Sequence, residues 1–169
     1  MKRFIFFGFV VLAAVGVLAG TAAGRGDGWE AVTATPFDWQ CGATPVHLTF
    51  PVNKEYQRVT TLPDGTLLLQ ITGSLKINLA TDAGASLTVN ASGPTNKETF
   101  DPSSGNLDFI ATGQNLVLFT AAQAAATGLP ELFTTSGPID ILFRGDGTVQ
   151  VNQLNANTLT DLCAALGAS

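Results

Sequence analysis

The sequence predicts an all-β fold, an antiparallel meander closing into a barrel, with one short helix or lid segment. Three observations predict it. Apolar and polar residues alternate along many short runs, Asp-Gly turns separate neighbouring runs, and the turn signals recur roughly every 8 to 12 residues. The runs amount to about ten strands, and consecutive runs joined by tight turns favour a meander. A two-sheet β-sandwich is the alternative.

The first 23 residues have the order of a secretory signal peptide. Lys2 and Arg3 precede an uncharged apolar run from Phe4 to Gly20, and small residues follow at 21–23. We therefore expect a secreted, extracellular protein cleaved after Ala23. The alternative is an uncleaved N-terminal anchor that holds the protein at the membrane, because the run approaches the length of a spanning helix.

The remaining chain divides into a leader, residues 24–40, and a single β domain, residues 41–169. Trp29, Phe37 and Trp39 make the leader rich in aromatic residues, so we expect it to pack along the domain in an extended form. The leader also contains the tripeptide Arg25-Gly26-Asp27. We interpret this short match beside the cleavage site as accidental.

Alternation identifies the strands of the domain. In "VHLTF" and "SLKINLA" every second residue is apolar, which is typical of a strand with one buried face. The runs "TLLLQITG" and "NLVLFT" are more continuously apolar and predict strands buried on both faces. An Ala-rich segment, Thr120 to Phe133, predicts a short helix or lid, and Asn157 to Gly167 predicts a final helical turn or a last strand.

Turn chemistry separates these runs. Asp64-Gly65 and Asp146-Gly147 are hairpin signals, because glycine adopts positive φ without a Cβ clash. Ser-Gly-Pro occurs twice, at 92–94 and 136–138. Proline fixes φ and lacks an N–H donor, so we interpret both copies as strand ends and not as a site.

Charge limits the class of partner. Loss of Lys2 and Arg3 with the signal peptide leaves six basic against thirteen acidic residues, a formal net charge of −7. This excess of acidic residues argues against binding to nucleic acid, which requires clustered lysine and arginine. It also argues against binding to an anionic membrane surface after cleavage.

The two cysteines, Cys41 and Cys163, lie near opposite ends of the mature chain. In an exported protein an even number of cysteines predicts a disulfide. Two buried free thiols are the alternative. A bridge would leave neither cysteine as a nucleophile.

The residues do not indicate a catalytic, cofactor-binding or metal site, and we assign none. His47, the only histidine, alternates with apolar neighbours, so we interpret it as a surface strand residue and not as a general base. Glu98, Asp101 and Asp146 could in principle serve glycosidic chemistry or hold calcium. We interpret them as solvated carboxylates of turns.

Four segments, "LPDGTLLLQITGSLKINL", "NASGPTNKETF", "GLPELFTTSG" and "DLCAAL", resemble a family of small exported proteins of unknown function from high-GC Gram-positive, actinobacterial bacteria. The resemblance covers nearly the whole mature chain. It implies export and pairing of Cys41 with Cys163. It implies no activity and no catalytic residues.

The surplus of large apolar residues favours a non-catalytic binding domain. Neighbours such as Leu67 with Leu68, and Val117 with Leu118, must point to opposite faces, and the second face needs a cover. An apolar or amphipathic small molecule would provide it, as would the lid and the leader. The alternative is a cell-envelope or extracellular interaction protein without a small-molecule ligand. A barrel enzyme is the least favoured class.

Overall fold

The computed structural model describes residues 28–92 and 96–168, where the chain is mostly β and its strands pair antiparallel. The predicted signal peptide, the Arg25-Gly26-Asp27 tripeptide, and Gly93 and Pro94 of the first Ser-Gly-Pro lie outside the described residues. At the second copy, β-strand pairing ends at Ser136, Gly137 has a φ of 101° and the next strand begins at Ile139. That copy is a turn, as predicted.

The strands of the described residues form three sheets, numbered here in chain order. The seven-stranded sheet has the order β1 (Glu30–Ala31), β4 (Tyr56–Thr61), β5 (Leu67–Thr72), β8 (Asn96–Asp101), β9 (Asn106–Ala111), β12 (Ile139–Phe143), β13 (Val149–Gln153). The four-stranded sheet has the order β2 (Phe37–Cys41), β3 (Thr44–Asn53), β6 (Leu75–Thr81), β7 (Ser86–Asn90). The three-stranded sheet has the order β10 (Gln114–Leu118), β11 (Leu132–Ser136), β14 (Thr160–Asp161).

The chain changes sheet after each pair of neighbouring strands. The pairs β4–β5, β8–β9 and β12–β13 belong to the seven-stranded sheet, and the pairs between them belong to the other two sheets. The described strands therefore do not form the single meander that the sequence predicts. Turn signals report that the chain reverses, but they carry no information about which sheet the next strand joins. In the pairing of the described residues no sheet closes on itself, and a sandwich-like arrangement fits as well as a barrel.

A two-stranded ribbon bends from the four-stranded sheet into the seven-stranded sheet. One half pairs β3 with β6, and the other half pairs β4 with β5. The bend lies at Lys54 and Glu55, opposite Gly73 and Ser74, where the Lys54 N–H donates to the Ser74 carbonyl at 2.8 Å. Gly73 has a φ of 138°, and a Cβ there would lie 2.3 Å from the Lys54 carbonyl oxygen. This close approach of two backbones requires glycine.

We expect Gly73→Ala to lower the free energy of unfolding by at least about 2 kcal/mol, because it combines an unfavourable φ with a backbone clash. Gly65→Ala is the matched control. Gly65 also has positive φ, 86°, but a Cβ there meets nothing within 4 Å. Its cost should be the conformational strain alone, about 1 kcal/mol. Urea denaturation of both variants checks this, and equal losses would mean that the corner tolerates a side chain.

Two apolar clusters pack on the two faces of β10. Leu116 and Leu118 pack in the first cluster, with Leu48, Ile77 and other residues of the four-stranded sheet. In the second, Phe119 contacts Phe133 and Phe143 edge to face, with ring centroids 5.5 and 6.0 Å apart. The run "NLVLFT" is thus covered on both faces by the protein itself, as its apolar character predicts.

The run "TLLLQITG" is buried on one face only, whereas the sequence predicts burial on both faces. Leu69 and Ile71 are buried, whereas Leu68 and Gln70 are half-buried on the opposite, outer face of the seven-stranded sheet. Ile110, on the same outer face, remains 44% exposed. One face of this sheet therefore carries apolar side chains that the described residues do not fully cover.

Both predicted helical segments contain a helix, although each helix is shorter than its segment. The first, α1 (Ala121–Thr127), begins with a capping box between Thr120 and Gln123 and ends at Gly128, which has a φ of 70°. Leu132 and Phe133 already belong to β11. The last segment combines both predicted alternatives, since a 3₁₀ turn, Ala156–Thr158, leads into the short strand β14 and then α2 (Leu162–Ala165).

The two cysteines lie together beside the first apolar cluster. Cys41 ends β2 and Cys163 lies in α2, with Cα atoms 5.5 Å apart and their sulfurs bonded across a sequence separation of 122 residues. Three aromatic residues from the segment predicted as a leader also contact the strands. Phe37 and Trp39 contact the first cluster, and the Arg58 guanidinium lies 5.1 Å from the centre of the Trp29 ring.

Candidate functional site: an acidic cavity where three sheets meet

A small cavity lies where the three sheets converge, beside the edge strand β10. The seven-stranded sheet contributes Ile71, Asn96 and Phe109, and the four-stranded sheet contributes Leu75 and Ile77. The remaining lining residues are Glu55, Ala91, Asn115, Leu116 and Leu118. Its volume is about 40 Å³. Since one water needs roughly 10–15 Å³ on this measure, the cavity accommodates a group of about three heavy atoms.

The ribbon corner places Glu55 at this cavity. The Glu55 N–H donates to Asn53 Oδ1 at 3.1 Å, and the Glu55 carbonyl accepts from the Val32 N–H at 3.0 Å. Asn53 Nδ2 in turn donates to the Val32 carbonyl at 2.8 Å. The backbone of Glu55 is thus fixed, and its side chain is 92% removed from solvent, with a residual exposure of 8%.

Strand β8 supplies the next polar groups. Its period of two puts Asn96 and Glu98 on the inner face, where Asn96 pairs with Ile71, and Glu98 lies between Leu69 and Phe109 of the neighbouring strands. Glu98 is only 2% exposed. Asn96 Oδ1 and Glu98 Oε1 are buried and accept no hydrogen bond from any residue in the described part of the chain.

Strand β10 contributes Asn115, which is 2% exposed. Asn115 Nδ2 donates to the Gly113 carbonyl at 3.3 Å, which orients the amide. Asn115 Oδ1 is then left at the cavity without a donor among the described residues. A buried polar atom in this condition is rare in native proteins and needs a physical explanation.

The two carboxyl groups have strongly perturbed acidity. Burial, and secondarily the charge of Glu55, raises the pKa of Glu98 to about 8. Burial raises the pKa of Glu55 to about 7. Ionisation of either group in this low-dielectric region is unfavourable unless a positive charge or several hydrogen-bond donors compensate it.

The prediction that Glu98, Asp101 and Asp146 are solvated turn carboxylates is wrong for Glu98. Asp101 and Asp146 do lie in turns, where Asp101 accepts from the Ser103 N–H at 2.8 Å and Asp146 from the Thr148 N–H at 2.9 Å. The Ser104 and Ser103 hydroxyls lower the pKa of Asp101 to about 2. Glu98 lies instead on the buried face of β8, so the structure does not combine it with the two turn aspartates.

His47 lies on the outer face of the four-stranded sheet, half-buried between two aspartates. Its Nδ1 is 2.7 Å from Asp38 Oδ1 and its Nε2 is 2.8 Å from Asp82 Oδ1. Hydrogen bonds to Asp38 and then to Asp82 raise the pKa of His47 above its ordinary value. Both ring nitrogens act as donors in the imidazolium form, and neither is then available to accept a proton from a substrate.

We expect the titration midpoint of His47, followed by NMR, to lie above about 6.5, the ordinary value for histidine. The stability that this ion pair contributes is present below that pH and is lost as the pH rises through the raised folded-state pKa. The double variant Asp38→Asn, Asp82→Asn should return the midpoint towards the ordinary value. Glu30→Gln, which removes an exposed carboxylate from another sheet, is the control. An unchanged midpoint in the double variant would contradict the assignment.

Glu55, Asn96 and Asn115 were not among the candidate residues from the sequence. One signal could have found part of the set, because the alternation in "NKETFD" places Asn96 on the same face as Phe100. Glu55 lies at a corner with no periodicity of its own, and the partner strands of Asn115 are distant in sequence. The burial of Asn115 therefore could not be inferred from local pattern.

Comparisons with known proteins add no relative: no protein-family model, no curated protein and no solved structure matches the chain. Within residues 28–92 and 96–168, no helix has both the length and the apolar character needed to cross a bilayer. The same residues contain no cluster of three or more His, Cys, Asp or Glu side chains arranged to hold a metal ion.

Proposed function

We propose that this chain is an exported, non-catalytic β domain that binds a small amphipathic molecule at the acidic cavity. The observation that carries the proposal is the lining itself. Glu55, Asn96 and Asn115 line one small space together with Ile71, Ile77 and other apolar residues. A binding site of this kind combines apolar contact with a few polar groups that fix orientation.

The size of the cavity favours an amphipathic ligand over a wholly apolar one. Sites for drug-sized ligands have volumes of at least about 300 Å³, whereas this cavity measures about 40 Å³. Only the polar end of a ligand would enter. The rest would lie against partly exposed neighbours such as Leu116, which is half-buried at the cavity.

Two features support export and a role without catalysis. The signal-peptide-like N-terminus and the Cys41–Cys163 pair suit an oxidising, extracellular location. His47, the histidine that could have acted as a base, is held between two aspartates. We also propose membership of the actinobacterial family of exported proteins that the sequence resembles.

For the architecture we propose the sandwich-like alternative. The seven-stranded sheet would form one layer, and the four- and three-stranded sheets together would form the other. Alternation of the chain between these layers after each strand pair, and the inward apolar faces on both sides of β10, support this arrangement.

A second candidate function is an envelope or extracellular interaction protein without a small-molecule ligand. The outer face of the seven-stranded sheet favours it, because Ile110 is 44% exposed there and half-buried Leu68 and Leu142 lie on the same face. Such apolar residues on an open sheet are compatible with contact to a partner.

Native mass spectrometry of the full chain, secreted by an exporting bacterial host, tests the proposal. We expect an adduct that is lost on denaturation and is absent from Asn115→Leu, which removes an acceptor and fills the cavity. Gln114→Leu, at the exposed neighbouring position of β10, should keep the adduct, and circular dichroism verifies that both variants fold. An adduct retained in Asn115→Leu, or a bare wild-type mass, would leave the interaction protein as the better explanation.

A further inference from the structure

We infer that the polar end of the ligand is a cation, a primary alkylammonium group that donates to Glu55, Asn96 and Asn115. This inference rests on the proposed binding function and specifies the chemical class of its ligand. Three observations carry it: buried side-chain oxygens of Asn96 and Asn115 at the cavity accept no hydrogen bond from the described residues, the charged residue in the lining is acidic, and most of the other lining residues are apolar.

Two buried amide oxygens at the cavity have no hydrogen-bond donor among the described residues. Asn115 lines the cavity and donates from Nδ2 to the Gly113 carbonyl, while its buried Oδ1 accepts no hydrogen bond from the described residues. Asn96 Oδ1 is in the same condition. When Glu55 is ionised, its carboxylate adds further acceptors to these two amide oxygens. An ammonium group supplies three N–H donors and no acceptor, which complements these oxygens.

The acidic residues near the cavity disfavour an anionic ligand. Glu55 lines the cavity, and Glu98 is close enough for the charge of Glu55 to affect its ionisation. The ionised carboxyls would repel a carboxylate or phosphate, and a hydroxyl group has a single O–H donor to offer against several acceptors. An ammonium ion compensates the negative charge of the carboxylates and donates hydrogen bonds to the acceptors.

The remaining lining residues accommodate a short hydrocarbon stem. Ile71, Leu75, Ile77, Leu116 and Leu118 form the apolar part of the cavity. A hydrated metal ion would gain nothing from this surface, since hard cations prefer oxygen ligands on all sides. The volume of about 40 Å³ suits the nitrogen and the first two carbons of an alkylamine.

Binding should be linked to ionisation of the two carboxyls. The charged groups that are their neighbours in sequence, Lys54 and Lys97, are both exposed, and Lys97 lies on the outer face of β8. Among the titratable groups of the described residues, Glu55 lines the cavity, and Glu98 lies close enough on the buried face of β8 for the charge of Glu55 to raise its pKa. An ammonium ion favours their ionised forms, so binding releases protons and strengthens as the pH rises from 6 to 8.5.

Isothermal titration of the full secreted chain with butylammonium tests the inference. We expect binding at pH 8.5 that is at least about tenfold tighter than for 1-butanol, and no binding of butyrate. Affinity should fall about tenfold at pH 6, and Glu98→Gln should weaken binding and reduce this pH dependence, whereas Glu30→Gln should change neither.

The outcomes separate this inference from the proposed function. Tighter binding of butanol than butylammonium would overturn the cationic ligand and leave the binding domain in place. Preference for calcium over butylammonium would replace the amine site by a metal site. Failure of all these probes would overturn the inference, and native mass spectrometry would then decide whether the binding domain itself stands.

Discussion

Removal of the Cys41–Cys163 pair is expected to lower the free energy of unfolding by about 4 kcal/mol, because the bridge closes a long loop of the chain. The cysteines are 122 residues apart in sequence. In the chain-entropy model a loop of this order restricts the unfolded chain by roughly 4–5 kcal/mol, and native bridges contribute about 2–5 kcal/mol. Since natural domains are stable by only about 5–15 kcal/mol, the loss would be a large fraction of the total.

The double variant Cys41→Ala, Cys163→Ala is preferred to serine, because the two side chains are 1% and 9% exposed beside an apolar cluster. Chemical denaturation should show a lower midpoint for the double variant, and each single alanine variant should lose nearly as much. Additive single losses would indicate that packing of each residue, and not the bridge, is responsible. Alkylation of both thiols in unreduced, unfolded protein would show that the bridge does not form in the secreted molecule.

The hairpins of this fold could be predicted because their signals are local. Asp64 and Asp146 each accept a hydrogen bond from the residue two positions later, and Gly65 and Gly147 adopt positive φ beside them. The same is true of α1, whose capping residue Thr120 and terminating Gly128 are adjacent to the helix. These features depend on a few consecutive residues and therefore appear in the sequence.

The arrangement of the hairpins and the acidic cavity could not be predicted in the same way. Whether β6 follows β5 in one sheet or leaves it depends on a close contact between Gly73 and Lys54, which are nineteen positions apart. Glu98 resembles any exposed strand carboxylate until the sheets are assembled. Its burial follows from Leu69 and Phe109 on two different neighbouring strands. Non-local contacts of this kind leave little trace in periodicity.

The second large effect concerns these buried carboxyls, whose raised pKa values make the fold less stable as the pH rises. The pKa of Glu98 is raised to about 8 and that of Glu55 to about 7, whereas a glutamate in an unfolded chain titrates near about 4.3. Between these values the folded state retains protons that the unfolded state has released. The stability that these retained protons contribute should therefore be complete below about pH 4, decline from there to about pH 8 and level off above it.

We expect the free energy of unfolding to fall by up to about 6 kcal/mol between pH 5 and pH 9, since the pKa values of Glu98 and Glu55 lie about three and two pH units above pH 5 and each pKa unit corresponds to about 1.4 kcal/mol. Urea denaturation across this range measures the slope. Glu98→Gln keeps the shape of the side chain without its charge, so it should remove most of the decline and stabilise the protein at pH 9. Glu55→Gln in the same background should remove the remainder, whereas Glu30→Gln should retain the wild-type slope.

The same measurement distinguishes an unfavourable burial from a ligand site. If the carboxyls are buried to receive a cation, butylammonium at pH 8.5 should restore part of the lost stability in the wild-type protein, because a ligand that binds only the folded state stabilises it by RT ln(1 + [L]/Kd). In Glu98→Gln the same addition should give a smaller gain. A stability that is constant or rises from pH 5 to pH 9 would show instead that Glu98 and Glu55 are not buried as carboxyl groups in the folded protein.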